Sequence, residues 1–394
     1  MNNSSTRNYA LDLLRGLTIA LMIVVNNPGD WKAMFTVLRH ADWHGFLGAD
    51  LVFPLFLFVA GYAAALKIDR LYAPLATNGP HCASALTLEE RETPLFYLPL
   101  IRRAAILFLI GLFLNAWPFG LLPGTEFSFE KLRLLGVLQR IAICVLIGGV
   151  VLRRFLTVKG LVSVLILIAA VYEICMRVPL VHTMAGDFGR SFELQDNFAR
   201  FIDTSLLPAA MLYKVQKIPF DPEGLFTSLT AVMTFLLGGL TFRLSTGVTQ
   251  AKRQRFFLVL VLSLTGLLMA LIEPINKNLW TLPYVLLTGA AGVLLLAALE
   301  KINDREPNLL YRLSIPFASM GRNPLMIYVL SGIVGKALAL WKTGSGMSLK
   351  AILFNSMLIL PVSMKTASVL YSLILLGLLA LLAARMRGLP FVIR

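Results

Sequence analysis

VVNNPGDWKAMFTVLRHADWHGFLGADLVFPLFLFVAG, residues 24–61, leaves an apolar run at Asn26-Asn27, makes a short polar excursion through His40, Asp42, Trp43 and His44, and re-enters an apolar run at Asp50 to Pro54. Pro54 falls in the first turn or so of the second run, where a helix tolerates proline. The stretch reads as two membrane helices joined by a short loop, and that loop holds two of the chain's four histidines.

Outward from this stretch, apolar runs of membrane-spanning length recur through all 394 residues, and each can cross a hydrocarbon core of about 30 Å as a helix. Hydrophobic residues make up 57% and charged residues 14%, with mean hydropathy +0.77, which excludes an ordinary soluble globular protein. Alternating ten-residue strands of the outer-membrane kind are absent from the sequence. A formal charge of +15 would suggest nucleic acid in a soluble protein, but the Lys and Arg residues are scattered between apolar runs, so topology explains them and no nucleic-acid partner is expected. Cys82, Cys144 and Cys175 have neither paired nor metal-type spacing. Arg7 followed by an apolar run imitates a secretory signal, yet the run ends in Asn-Asn-Pro-Gly-Asp without a small-x-small cleavage site, so the first span is expected to be retained.

Hydropathy places spans at about 12–27, 51–67, 101–119, 134–152, 158–175, 226–243, 256–272, 279–300, 322–341 and 366–386. The fold class expected is all-α: a polytopic membrane protein of about ten helices, with residues 349–364 forming an interfacial or re-entrant segment. With the N-terminus cytoplasmic, about 21 basic residues fall inside and about 14 outside, and every tight basic cluster is inside. Both termini are then cytoplasmic and His40 faces the far side. The whole chain, 1–394, reads as one domain, and the long polar segment 177–224 as a periplasmic loop or lid within it. The segment around Glu89-Glu90-Arg91-Glu92 reads as a solvated inner loop.

Polar groups at membrane depth are costly unless they face a cavity or each other, so they are the functional candidates. Toward the outer side fall Asn26, Asn27, Asp50, Asn115, Gln139, Arg140, Glu273 and Asn276; toward the inner side fall Asp12, Arg15, Arg322 and Asn323. Asp12 and Arg15, three apart, share a helix face: they form either a helix-start ion pair or, with Arg322, a phosphate-receiving cluster. Arg140 either snorkels outward or faces an internal cavity with Asp50, Asp221, Glu223 or Glu273 as partner. The His40 imidazole is suited to deprotonating an amine or hydroxyl near neutral pH, with Asp42 and Asp50 available to orient it and Trp43 to stack on a sugar. His44 competes for that role. Two histidines four apart could ligate zinc, but no HExxH or cysteine support exists, and no metal is expected.

Beyond the single residues, Leu11-Asp12-Leu13-Leu14-Arg15-Gly16-Leu17-Thr18, Val25-Asn26-Asn27-Pro28-Gly29, His40-Ala41-Asp42-Trp43-His44-Gly45 and Asp50-Leu51-Val52-Phe53-Pro54 resemble the start of the heparan-α-glucosaminide N-acetyltransferase family. Later stretches continue the resemblance: 135–141 with Gln139 and Arg140, Phe220-Asp221-Pro222-Glu223-Gly224, Pro274 to Thr281, and Gly321-Arg322-Asn323-Pro324 to Tyr328. The resemblance implies acetyl transfer across a membrane, from cytoplasmic acetyl-CoA to a glucosamine amine on the other side. It implies His40, the histidine preceding the loop tryptophan, as the catalytic group, with Asn26 and Asp50 as its partners; His44 stands where the lysosomal enzyme has asparagine. With that activity, acetyl-CoA contacts are expected from Asp12, Arg15, Gln139, Arg140, Arg322 and Asn323, and acceptor contacts from Asp42, Trp43, His44, Asp221, Glu223 and Glu273. The short N-terminus is similar to that of bacterial, NagX-like relatives, so the expected setting is a bacterial inner membrane with a periplasmic amino-sugar acceptor, membrane lipid around the chain and a homodimer admissible. His40 as general base and His40 as acetyl carrier both remain open, as do two rival functions: an amino-sugar secondary transporter and an O-acetyltransferase of cell-envelope glycans.

Overall fold

The computed structural model describes residues 9–72, 94–177, 181–183, 186–188, 191–245, 250–344 and 346–385. The Glu89 to Glu92 loop and Cys82 lie outside these residues, as does the side chain of Arg322.

Each of the ten expected spans coincides with a helix. They are α1 (Tyr9–Asn26), α2 (Val52–Tyr72), α3 (Pro94–Ala116), α4 (Val137–Arg154), α5 (Val158–Met176), α7 (Leu225–Ser245), α8 (Ala251–Met269), α9 (Leu282–Arg305), α11 (Pro324–Leu340) and α13 (Met364–Arg385). Between them lie α6 (Phe198–Leu206), α10 (Pro307–Arg322) and α12 (Leu349–Met357). Seven of the helices, namely α1, α2 with its leading turn, α3, α5, α7, α9 and α13, are long and apolar enough to cross a membrane. The other three expected spans are 17 to 19 residues long, and α4 and α8 among them carry arginines. The chain is an all-α polytopic membrane protein.

At the centre stands α7, of whose apolar window 83% is buried, whereas α3 and α5 turn most of theirs outward, as lipid-facing helices do. Glycines permit the closest approach in the bundle. A Cβ on Gly61 of α2 would lie 1.7 Å from the Phe235 carbonyl oxygen, and one on Gly238 of α7 would lie 1.9 Å from that of Phe58. The two backbones touch where small residues recur, the usual device for packing helices that have no hydrophobic drive to associate in lipid. Gly238→Val is therefore expected to lower the melting temperature of detergent-solubilised protein, overpacking of this kind costing about 1–3 kcal/mol or more. Gly377→Ala, whose methyl meets nothing within 4 Å, serves as the unchanged control; equal melting points for both variants would refute the close-packing argument.

One segment between two expected spans is helical as well. Residues 301–321, which lie between the expected spans 279–300 and 322–341, contain the end of α9 and all of α10 but its last residue. The α10 backbone crosses α1 so closely that a Cβ on Gly16 would meet the Phe317 carbonyl at 2.5 Å, with Tyr9 and Tyr311 edge to face beside it. Helix geometry lapses for a single residue at Asn323 (φ −126°, ψ 54°) before Pro324 opens α11. Outside the membrane helices, the segment 191–224 holds α6 and a short hairpin of β3 (Lys214–Val215) with β4 (Ile218–Pro219), while β1 (Val181–Thr183) pairs with β2 (Gly186–Phe188) just before it.

Candidate active site and adjoining cavity

His40 is brought to the N-terminal end of α2 by the loop that precedes it. Asp50, 1% exposed, sits in the 3₁₀ turn Gly48–Leu51 that leads into α2. Its Oδ2 accepts from the backbone N–H groups of Leu47 (2.9 Å) and Ala41 (3.2 Å), and its Oδ1 lies 2.8 Å from His40 Nδ1. One carboxylate thus folds the loop back on itself and orients the imidazole. The Tyr284 hydroxyl of α9 in turn donates to the Asp50 carbonyl at 2.7 Å. His40 remains 36% exposed, and its Nε2 makes no hydrogen bond among the described residues.

His44 is placed differently. Its Nδ1 faces the Asn276 amide at 3.2 Å and its Nε2 faces Glu193 at 3.2 Å, so both nitrogens are engaged in tying the loop to the segments around it. Trp43 is not an open stacking platform: it is buried, donates from Nε1 to the Phe192 carbonyl (2.9 Å) and packs edge-on against Phe220. Asp42 points to solvent, 88% exposed, with Arg39 at 3.9 Å. Asn26 ends α1 exposed, and no hydrogen bond ties it to His40 or Asp50 among the described residues.

The carboxylates expected near an acceptor sort themselves by partner. Arg133, which the sequence did not single out, donates from Nε and Nη2 to the two oxygens of buried Asp221 (2.8 and 2.6 Å) and also to Glu223. Burial alone would lower its pKa, but Asp221 and Glu223 raise it, so this guanidinium stays charged. Glu223 keeps 12% exposure. Glu273 does not join them. It is buried, accepts from the Leu282 N–H at the start of α9 and lies 3.6 Å from Arg177; burial and the neighbouring Glu173 push its carboxyl above the usual range. It is a joint between helices rather than a group at His40.

Arg140 does not snorkel. It is fully buried, donates to Thr227 Oγ1 and the Gly224 carbonyl, and lies 4.9 Å over the Trp280 ring, a face-on cation-π contact. Gln139 is buried against Gly111 and Gly136. Neither lines a cavity with Arg15, because both occupy the α7-facing side of α4 or its α3 contact, while Leu138, Ile141 and Val145 present the cavity face.

That cavity, about 650 Å³, lies among α1, α2, α3, α4 and α11. One end is basic: Arg15, Lys67 and Arg103 converge there beside Asn323 and Pro324, at the break between α10 and α11. Arg15 has Asp12 at 3.7 Å and the Gly321 carbonyl at 3.4 Å, while Arg103 stands close enough to Arg15 for the two charges to repel. The rest of the wall is apolar, and along α2 it runs from Lys67 through Ala64, Ala63, Ala60 and Val59 to Phe56, one helix face about 16 Å long. Phe56 is six residues from Asp50, or about 9 Å. Lys67 and Arg103 were visible in the sequence only as members of the inner basic set; nothing local marked them as facing Arg15.

A buried carboxylate outside the membrane helices carries a pH-dependence. Asp203 of α6 caps α7 across space, its Oδ1 accepting from Leu225 N–H at 2.8 Å, while its Oδ2 is buried without a partner. Burial pushes its pKa up to about 7, with Asp221 adding to the rise. The folded state therefore holds this proton more tightly than the unfolded chain, whose aspartate titrates near 4, so stability falls as pH climbs from about 4 through about 7 and is flat above. Melting temperatures between pH 5 and 8 are expected to fall less for Asp203→Asn than for wild type; parallel curves would contradict the assignment.

The sequence model described as the catalytic region of heparan-alpha-glucosaminide N-acetyltransferase matches residues 7–190, which include α1, the His40 loop, α2 and the wall of the cavity as far as α4. Among curated proteins, the chain is 24% identical to mouse heparan-alpha-glucosaminide N-acetyltransferase over 417 residues, covering 94% of this chain and 60% of the relative. It is 24% identical to the human protein of that name over 375 residues, covering 82% and 52%. The chain thus spans a little over half the length of these relatives. The matched region carries the His40–Asp50 pair and Arg15, Lys67 and Arg103 of the cavity mouth, and the chain is similar to heparan-α-glucosaminide N-acetyltransferases along most of its length.

Proposed function

We propose that the protein transfers acetyl from cytoplasmic acetyl-CoA to the amine of glucosamine or a related amino sugar on the far, periplasmic side of a bacterial inner membrane. The observation that carries this reading is the placement of two unlike half-sites on one membrane helix: His40, held through Nδ1 with Nε2 free, at one end of α2, and an apolar cavity with a cationic mouth at the other. Arg15, Lys67 and Arg103 fit the phosphates of a CoA nucleotide, since converging guanidinium and ammonium groups with one nearby carboxylate are relieved by a polyanion. The apolar face of α2 fits the long arm that bears the thioester. The basic mouth, which shares its end of the bundle with the Arg153-Arg154 and Arg243 termini of α4 and α7, supports the cytoplasmic assignment of that end.

In this reading Asp50 holds the proton on His40 Nδ1, so Nε2 accepts a proton from the attacking sugar amine and later returns it to the departing thiolate. Asn26, at the end of α1, is assigned the stabilisation of the carbonyl oxygen as it gains charge, a donor role that contributes about 3 kcal/mol. Glu223, partly exposed and near enough for its charge to be felt at Lys277, is assigned to the acceptor. The segment 191–224 acts as the roof of the acceptor site, being fastened to the His40 loop through Phe192 and Glu193.

The test is thiol release from acetyl-CoA by purified protein across a panel of amino sugars, with mass spectrometry of the product. Release that requires a free amine and yields an amide supports the proposal. An ester product would make the protein an O-acetyltransferase. Sugar uptake by proteoliposomes without acetyl-CoA, together with no thiol release, would make it a transporter.

A further inference from the structure

Lys277 lies in the loop between α8 and α9, 237 residues from His40 in sequence, and its Nζ stands 3.1 Å from His40 Nδ1 and 3.8 Å from Asp50 Oδ1. The side chain is 18% exposed. Its backbone is pinned: Asn276 Oδ1 accepts from Leu279 N–H, Asn276 N–H donates to Thr281 Oγ1, and Trp280 N–H donates to the Lys277 carbonyl. The Gly45 N–H donates to the Ile275 carbonyl at 2.8 Å, which locks this loop against the histidine loop. The amine is held where it is by two independent loops.

One imidazole nitrogen cannot satisfy both neighbours in one state. If Nδ1 carries the proton, it donates to Asp50 and leaves the lone pair on Nε2, the form that can accept a proton from an amine. If Nδ1 carries the lone pair, it accepts from the Lys277 ammonium, the proton sits on Nε2, and that nitrogen is a donor with no basic lone pair. The proton count of the three groups is the same in both states; only the ring proton has changed nitrogen, and the ammonium has turned from the ring toward the Asp50 carboxylate.

We propose that Lys277 is a positioning residue that selects the tautomer of His40: its ammonium competes with Asp50 for Nδ1, and His40 becomes a base at Nε2 only when Lys277 has turned to the carboxylate. The proposal rests on the reading of His40 as a proton acceptor in acetyl transfer. The groups that act on Lys277 are the Asp50 carboxylate and the His40 ring from the loop before α2, the Glu223 carboxylate from the turn before α7, and the Arg140 guanidinium from α4. Burial pulls the lysine below its usual range, and the two carboxylates draw it back only in part, so the amine is not an inert cation fixed to a single partner. An acceptor amine arriving near Glu223 would weaken that carboxylate's hold on Lys277 and so couple acceptor binding to the tautomer.

The chain's four histidines make a direct measurement practical. Nitrogen NMR of ¹⁵N-histidine-labelled full-length protein in detergent micelles, with His40 assigned by difference from His40→Ala, reads the two ring nitrogens separately. The resting wild-type protein is expected to show the proton on Nε2 in a measurable fraction of molecules, Lys277→Met to shift His40 to Nδ1–H, and Asp50→Asn to shift it the other way. Lys277→Gln keeps a donor at the site and is expected to keep the wild-type ratio, which separates the effect from any loss of folding in the methionine variant. In the thiol-release assay, Lys277→Met should change kcat and leave the KM for acetyl-CoA within twofold. The same His40 tautomer in wild type and Lys277→Met would overturn the proposal. Absence of thiol release by wild type with every acceptor would instead defeat the function proposed above, and the nitrogen spectra would still report whether lysine and aspartate compete.

Discussion

Replacing His40 with alanine is expected to lower the rate of acetyl transfer by about 10²- to 10⁴-fold, the contribution of a positioned general base, while leaving the protein folded. The folding half of this statement follows from the division of labour within the loop. Asp50 still accepts from the Leu47 and Ala41 N–H groups, and Trp43 and His44 still fasten the loop to Phe192, Glu193 and Asn276. His40 contributes only its Nδ1, facing Asp50 and Lys277, to that framework and presents the other side of its ring outward. His44→Ala is the informative companion. Because both of its nitrogens are engaged in structure, its loss should reduce thermal stability more than His40→Ala does and reduce turnover far less. The measurement is thiol release at saturating acetyl-CoA beside a melting curve for each variant. Full activity in His40→Ala, or a larger loss of turnover in His44→Ala, would reverse the assignment of the two histidines.

The second large effect concerns the cavity mouth. Arg15→Ala and Arg103→Ala are each expected to raise the KM for acetyl-CoA by about 10- to 100-fold, a charge-assisted contact to a phosphate contributing about 1.5–3 kcal/mol. Turnover at saturation should change little, because neither residue is near His40. Arg15 also binds the Gly321 carbonyl and faces Asp12, so part of its loss falls on the contact between α1 and α10. Arg103 has the cleaner readout. Raising ionic strength should mimic the substitutions in wild type and do little in the double variant, as expected for binding dominated by charge. An unchanged KM in the double variant would remove the cavity from the donor pathway.

Much of this was legible because membrane helices announce themselves. A helix in lipid satisfies its own backbone, so length and apolarity suffice to find it, and all ten expected spans coincide with helices. The amphipathic α10 escaped because it is polar and bracketed by prolines; it is stabilised by the Gly16 and Gly321 approach to α1, which is a tertiary fact with no local signature. The pairing of His40 with Asp50 was readable, being ten residues apart and at the mouth of one helix. Lys277 was not, since nothing in Asn276-Lys277-Asn278 says that the loop closes on residue 40. Arg140 was left undecided for a related reason. Charge alone leaves snorkelling and burial open, and what decides between them is Trp280, 140 positions away, offering its ring face with Thr227 beside it.

The glycine contact that locks α2 to α7 makes α2 a ruler. From Asp50 at one end to Lys67 at the other the helix measures about 26 Å, and because Gly61 and Gly238 leave no room for the backbones to slide, that length is set by the fold rather than by the ligand. Under the proposed function, a donor gripped at the cationic mouth would deliver its thioester to His40 only if its arm matched the ruler. Short acyl donors lacking the nucleotide would have to give up one end to reach the other, so selectivity for the intact carrier would reside in a distance, with no contact to the acyl group required.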